Sequence, residues 1–137
     1  TASSSQYASS LAYSQGEPNT LLLEQLATLA RTAENHGGKL LLLLPPLLPG
    51  MEAALLRQPQ MSAELMHTKE RLGAWAKREN MVVLDAGQSE RFGCTTSEFI
   101  DQHHAYSTCY GKVFMAFWNK YAPASNDSVA WPPGGLY

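Results

Sequence analysis

Asp101 and His104 are the residues whose types and spacing are best suited to chemistry. They lie three positions apart in a polar turn, after Phe99-Ile100 and before an apolar segment that begins near Ser107. A carboxylate that accepts a hydrogen bond from one imidazole nitrogen fixes the tautomer of the ring and leaves the other nitrogen free to take a proton from a hydroxyl. The pair is therefore two thirds of a hydrolytic triad, and it needs a nucleophile.

Two other interpretations of this pair stay open on sequence alone. An Asp also caps turns, with a nearby histidine hydrogen-bonded at a helix start. A metal site would use Asp101, His103 and His104, with His36 or His67 as a further ligand. Adjacent histidine side chains diverge in most backbone conformations, which disfavours the metal site. We therefore do not expect a metal site at these residues.

The chain contains two cysteines, Cys94 and Cys109, and they bracket the Asp/His turn. A disulfide between them would staple the loop that carries the turn and would indicate an oxidising compartment. Two buried thiols fit the same spacing, because spacing alone does not fix the geometry of a bridge.

Composition excludes two classes of partner. Of the 137 residues, 45% are hydrophobic and 16% charged, with a formal net charge of -2, so the basic stripe of a nucleic-acid binder is lacking. The apolar run Leu40–Leu48 is broken by Pro45-Pro46 and is far shorter than the roughly 20 residues of a membrane-spanning helix. The first residue is Thr1, so we expect a chain that is processed or a piece of a longer one.

Hydrophobic periodicity predicts three helices, at Pro18–His36, from Ser62 to about Glu79, and from Ser107 to Tyr121. The short apolar segments Lys39–Leu44 and Met81–Ala86 are typical of strands buried on both faces, as in a parallel sheet. The strand, helix and strand in sequence predict a right-handed crossover.

The predicted organisation is a flexible lead-in at residues 1–17, an α/β domain at 18–121 and an irregular tail at 122–137. The loop from Leu47 to Gln60 follows a predicted parallel strand, and ligands bind at the carboxyl ends of such strands. The serines near the start of the chain follow no apolar strand, so we expect them to be loop residues rather than nucleophiles.

The Phe99-x-Asp101-x-x-His104 block, lying after a strand-helix-strand unit and before an apolar helix, resembles the last block of the SGNH (GDSL-like) hydrolase superfamily. Cys109 stands where that family usually has Gly. The strand ending in Pro-Pro, the helix with Trp75 and the Val-Val-Leu-Asp strand are most similar to its cell-envelope branch, which includes alginate O-acetylation and teichoic-acid D-alanylation proteins. The resemblance covers about residues 21–121.

The resemblance implies a flavodoxin-like three-layer sandwich with a mainly parallel sheet, incomplete in this chain. It implies that His104 is the general base and that Asp101 orients it. The family's nucleophilic serine block and its Gly and Asn oxyanion blocks lie upstream of the strands found here and are absent. Either this chain is therefore the C-terminal portion of a longer or proteolysed protein, whose N-terminal part supplies the nucleophilic serine, or it is a reduced domain that cannot run the triad alone.

The activity implied is that of an esterase or acyltransferase on acyl esters of cell-envelope carbohydrate, in the periplasm or another extracytoplasmic compartment. Its substrate would be an acyl ester or a polysaccharide, and this chemistry needs no metal or organic cofactor. The alternative is a non-catalytic SGNH-like module that binds a polysaccharide or a protein.

Overall fold

The computed structural model describes residues 17–121 and 131–137. Nearly all of the predicted lead-in and the first part of the predicted tail lie outside the described residues. The described elements are α1 (Thr20–Asn35), β1 (Leu41–Leu44), α2 (Met51–Leu56), α3 (Pro59–Arg78), β2 (Val82–Asp85), 3-10 turns at Ser89–Phe92 and Thr96–Glu98, α4 (Ser107–Tyr121) and β3 (Gly135–Leu136). The fold is mixed α/β, and none of these helices combines the length and apolarity that a bilayer crossing needs.

The sheet is small and parallel, with the strand order β1-β2-β3. Its central strand, β2, is buried from Val82 to Leu84, as its sequence predicts. The leucines of β1 are only half-buried, so the prediction that this strand is buried on both faces is wrong. The reason is position, because among the described strands β1 lies at the edge and has a neighbour on one side only.

The helix boundaries follow from local chemistry. Asn19 caps α1, since its Oδ1 accepts a hydrogen bond from the backbone N–H of Leu22 at 3.0 Å. Helix α3 begins at Pro59, three residues before the predicted start, because proline suits the first turn, where its missing N–H costs no hydrogen bond. Asn80 follows α3 with a φ of 54°, a left-handed conformation that ends helices.

The described residues divide into two compact units, each assembled from separate segments rather than from one continuous domain. The first comprises residues 17–42, 55–83 and 133–137, and the second comprises 43–54, 84–121 and 131–132. The buried apolar side chains of the first unit include Ala27, Ala30, Leu72, Trp75, Ala76 and Val83. Those of the second include Leu47, Leu84, Ala86, Phe99, Val113 and Phe117.

The prediction of an irregular tail at 122–137 is wrong for Gly135–Leu136, because these residues form strand β3. Gly135 donates its backbone N–H to the carbonyl of Met81, and Tyr137 donates to that of Val83, each at 2.9 Å. A Cβ on Gly134 would lie 2.5 Å from the carbonyl oxygen of Ala76. The strand therefore depends on a close backbone approach that only glycine allows.

Gly134→Ala is expected to lower the free energy of unfolding by about 1–3 kcal/mol, because the new methyl group meets fixed backbone atoms. Gly111→Ala is the matched control, since no atom lies within 4 Å of a Cβ at that exposed position of α4. The control should raise stability by about 0.5–1 kcal/mol through helix propensity. Urea unfolding measures both, and equal effects of the two substitutions would contradict the close approach at Gly134.

Candidate active site

The structure joins the two predicted site residues directly. Asp101 Oδ2 lies 2.7 Å from His104 Nδ1, and Oδ1 accepts hydrogen bonds from the backbone N–H groups of His103 and His104, each at 2.9 Å. The carboxylate thus closes its own turn while it holds the imidazole. With Nδ1 donating to Asp101, Nε2 becomes the proton-accepting nitrogen, on a side chain that is 62% exposed.

Backbone hydrogen bonding fixes the charge of Asp101. The N–H of His103, then the imidazole of His104, lowers the pKa of the Asp101 carboxyl to about 2. Hydrogen bonds to the ionised form favour that form. Asp101 therefore stays a carboxylate at neutral pH and holds the imidazole of His104 by a hydrogen bond.

The Asp101 carboxyl is expected to titrate with a midpoint near pH 2, whereas its ordinary pKa is 3.8. Because the folded pKa is depressed, the stabilisation from this carboxylate is present above the ordinary value and is lost as the pH falls through about 2. Carbonyl ¹³C shifts measured against pH give the midpoint, and Asp101→Asn identifies the signal. A midpoint near 3.8 would mean that the turn does not hold its hydrogen bonds in solution.

A short hairpin presents the pair. Phe99 and Ala105 form an antiparallel bridge. Ile100 donates its N–H to the carbonyl of His104 at 2.9 Å, and Tyr106 donates to that of Glu98 at 2.8 Å. Phe99 is buried, so this side of the hairpin is fixed in the core of the second unit.

An ion pair ties the hairpin to α4. Lys112 Nζ donates to Glu98 Oε2 at 2.7 Å and to the carbonyl of Gly93 at 2.9 Å. Glu98 also accepts from the backbone N–H of Thr95 at 2.8 Å. The hydrogen bond from Lys112, followed by that from Thr95, lowers the pKa of Glu98 to about 2.

Cys94 and Cys109 are joined by a disulfide, which decides between the two alternatives left by the sequence. Both residues are buried, and the loop they close contains Asp101 and His104. Helix α4 starts just before Cys109, at Ser107, so the bridge connects the entrance of the loop with the first turn of this helix.

The segments that follow β1 and β2 are hydrogen-bonded to each other and to the Asp101–His104 turn. Leu48 donates its N–H to the carbonyl of Gln102 at 2.9 Å, and Leu47 forms a parallel bridge with Gln88. Ser89 is fully buried, and its hydroxyl donates to the carbonyl of Leu47. Ser89 is consequently a structural residue and not a nucleophile.

Glu52 is a residue that sequence reasoning missed. It is only 4% exposed and accepts a hydrogen bond from Gln88 Nε2 at 3.1 Å. A Cβ at Gly87 would collide with its carboxylate, so a side chain there would displace the end of Glu52. The available signal was a single acid within the otherwise apolar segment Met51–Leu56. Through its hydrogen bond with Gln88, Glu52 supports the loop that follows β2.

The positions of the histidine rings favour a metal site, whereas the distance between Asp101 and His104 opposes it. His103 and His104 do not diverge, since their ring centroids lie 4.2 Å apart, and one ligand atom from each of Asp101, His103 and His104 falls within 4.8 Å of the others. However, Asp101 and His104 are 2.7 Å apart, closer than the roughly 3.3 Å that separates two ligand atoms on a tetrahedral zinc ion. This distance is that of a direct hydrogen bond.

The two further candidate ligands have their own partners. His36 Nδ1 contacts the carbonyl of Thr32 at 2.8 Å, and His67 Nε2 contacts Glu17 Oε1 at 3.0 Å. His36 thus bonds within the end of α1, whereas His67, in α3, bonds to Glu17, in the segment that precedes α1.

Comparison with protein-family models, curated proteins and solved structures finds no match for this chain. The relation to SGNH hydrolases therefore stays a prediction carried by the residues. Within residues 17–121 and 131–137, no serine hydroxyl is hydrogen-bonded to His104, whose side chain bonds to Asp101. In this part of the chain, the partner of the His104 side chain is thus a carboxylate and not a serine hydroxyl.

Proposed function

We propose that this chain is the C-terminal part of an SGNH-like esterase or acyltransferase that acts on acyl esters of cell-envelope carbohydrate. The observation that carries the proposal is the 2.7 Å hydrogen bond between Asp101 Oδ2 and His104 Nδ1, with the other carboxylate oxygen held by two backbone N–H groups. That arrangement orients an imidazole on a side chain that is 62% exposed and leaves its second nitrogen for proton transfer, which is what a general base requires.

In the proposed reaction, a serine from the N-terminal part of the protein attacks the ester carbonyl while His104 Nε2 takes the hydroxyl proton. The bond between the carbonyl carbon and the leaving oxygen then breaks, and His104 returns the proton to that oxygen. Water or an acceptor hydroxyl then attacks the acyl-serine and gives its proton to His104, which passes it to the serine oxygen as the bond between that oxygen and the acyl carbon breaks. Asp101 remains ionised throughout, consistent with its lowered pKa.

The same proposal includes a larger fold and a location. The half-buried edge strand β1 is suited to pair with further strands, so we place the three described strands in a larger, mainly parallel sheet of a three-layer sandwich. The disulfide between Cys94 and Cys109 supports a periplasmic or other extracytoplasmic location, because disulfides persist in oxidising compartments.

Labelling with a fluorophosphonate probe tests the proposal on the full-length protein. Such a probe reacts with a serine that a neighbouring base activates, so one adduct is expected on a serine preceding Thr1, and His104→Ala should abolish it. Peptide mass spectrometry locates the adduct. If the protein forms no adduct and turns over no acetyl ester, the proposal fails, and the non-catalytic binding module becomes the better description.

A further inference from the structure

Two exposed apolar side chains flank His104 on the hairpin. Ile100 is 67% exposed and Tyr106 is 49% exposed, beside a His104 side chain that is 62% exposed. Successive residues of paired strands point to opposite faces. Since Phe99 pairs with Ala105 and is buried, Ile100, His104 and Tyr106 belong to the opposite side, which we call the exposed hairpin face.

Backbone hydrogen bonds hold the exposed hairpin face in place. Those from Ile100 to His104 and from Tyr106 to Glu98 fix the positions of Ile100 and Tyr106. Lys112 Nζ lies 2.7 Å from Glu98 Oε2, so an ion pair neutralises the carboxylate next to this face. The face therefore offers one aliphatic group, one aromatic ring and one imidazole.

The chemistry of acyl transfer indicates which part of a substrate meets this face. The imidazole must reach the oxygen of the leaving alcohol to return its proton, so the groups beside it contact the alcohol portion rather than the acyl portion. An alcohol that carries phosphate would call for a cation, but the ammonium group near this face, that of Lys112, is bound to Glu98. An uncharged alcohol with an apolar face suits it better.

We propose that Ile100 and Tyr106 bind the alcohol portion of the substrate, a pyranose ring that lays its C–H face on the ring of Tyr106. Tyrosine combines an apolar ring with a polar hydroxyl, which matches a sugar that has an apolar face and a hydroxyl rim. This inference rests on the proposed function and adds the residues that recognise the carbohydrate.

The kinetic test compares two esters with the same acetyl group on the full-length protein: methyl 6-O-acetyl-α-D-glucopyranoside and the acyclic 2-methoxyethyl acetate. Tyr106→Ala and Ile100→Ser should each raise KM for the sugar ester by about fivefold to tenfold, the scale of one aromatic or apolar contact. KM for the acyclic ester and kcat for both should stay within about twofold. Tyr106→Phe keeps the ring and should retain most of the affinity.

Binding supplies a test that does not need turnover. Methyl α-D-glucopyranoside titrated into ¹⁵N-labelled protein should shift the backbone amides of Ile100, His104 and Tyr106, and Tyr106→Ala should abolish these shifts. If no ester is turned over but the shifts appear, the proposed function fails while sugar binding at this face holds. Shifts confined to other residues, or equal KM increases for both esters, would overturn the inference.

Discussion

His104→Ala is expected to lower kcat/KM of the full-length protein for a small acetyl ester by about 10²–10⁴-fold, the usual effect of removing a general base. Asp101→Asn should lower it by a comparable factor, because an amide at this position can no longer hold Nδ1 as the donor nitrogen. The two residues act as one unit through their 2.7 Å hydrogen bond. The double variant should therefore be about as slow as His104→Ala alone.

Three controls decide whether that loss is chemical. His103→Asn should cost less than about tenfold, because it keeps the backbone N–H that bonds to Asp101 and replaces only a side chain whose Nδ1 lies 3.6 Å from Asp101 Oδ1 and whose ring lies 4.2 Å from that of His104. His36→Ala removes an exposed imidazole at the end of α1 and should leave kcat/KM unchanged. Circular dichroism should show each variant folded. Full turnover by folded His104→Ala would make His104 structural, and the proposed mechanism would then be wrong.

The sequence was sufficient where local chemistry decides the structure. Helix α4 has the predicted bounds, Ser107 to Tyr121, because its apolar residues recur at helical spacing without interruption. The Asp101–His104 bond was also predictable, since a carboxylate three residues before a histidine can accept both from the turn backbone and from the ring. Both features depend on residues that are near one another in the chain.

The features that sequence reasoning missed depend on distant segments. Strand β3 has only two residues and no pattern of its own, and it exists because Gly134 can approach the end of α3. The exposure of β1 follows from its place in the sheet rather than from its five successive leucines. Glu52 is buried because Gln88, 36 residues away, supplies a donor. Periodicity carries no information about such partners.

The disulfide between Cys94 and Cys109 is expected to stabilise the second unit, in which both cysteines lie. Cys94 and Cys109 are 15 residues apart, and closing a loop of that length restricts the unfolded chain by about 3 kcal/mol. Urea unfolding of Cys94→Ala/Cys109→Ala should accordingly show a free energy of unfolding lower by about 2–4 kcal/mol. The wild-type chain unfolded with its disulfide reduced keeps both sulfur atoms, so it separates the cross-link from the packing of the two buried side chains.

Measurements of kcat/KM then distinguish whether the disulfide acts on the unfolded chain or on the geometry of the folded site. If it stabilises mainly by restricting the unfolded chain, the folded double variant keeps the hydrogen bonds of Asp101 and the ion pair of Lys112 with Glu98. Its kcat/KM at low temperature should stay within about threefold of the wild type and fall on heating together with the folded fraction. A large loss of kcat/KM while the variant is still folded would instead show that the bridge sets the geometry of the Asp101–His104 turn. Unchanged urea unfolding would contradict the stabilising role.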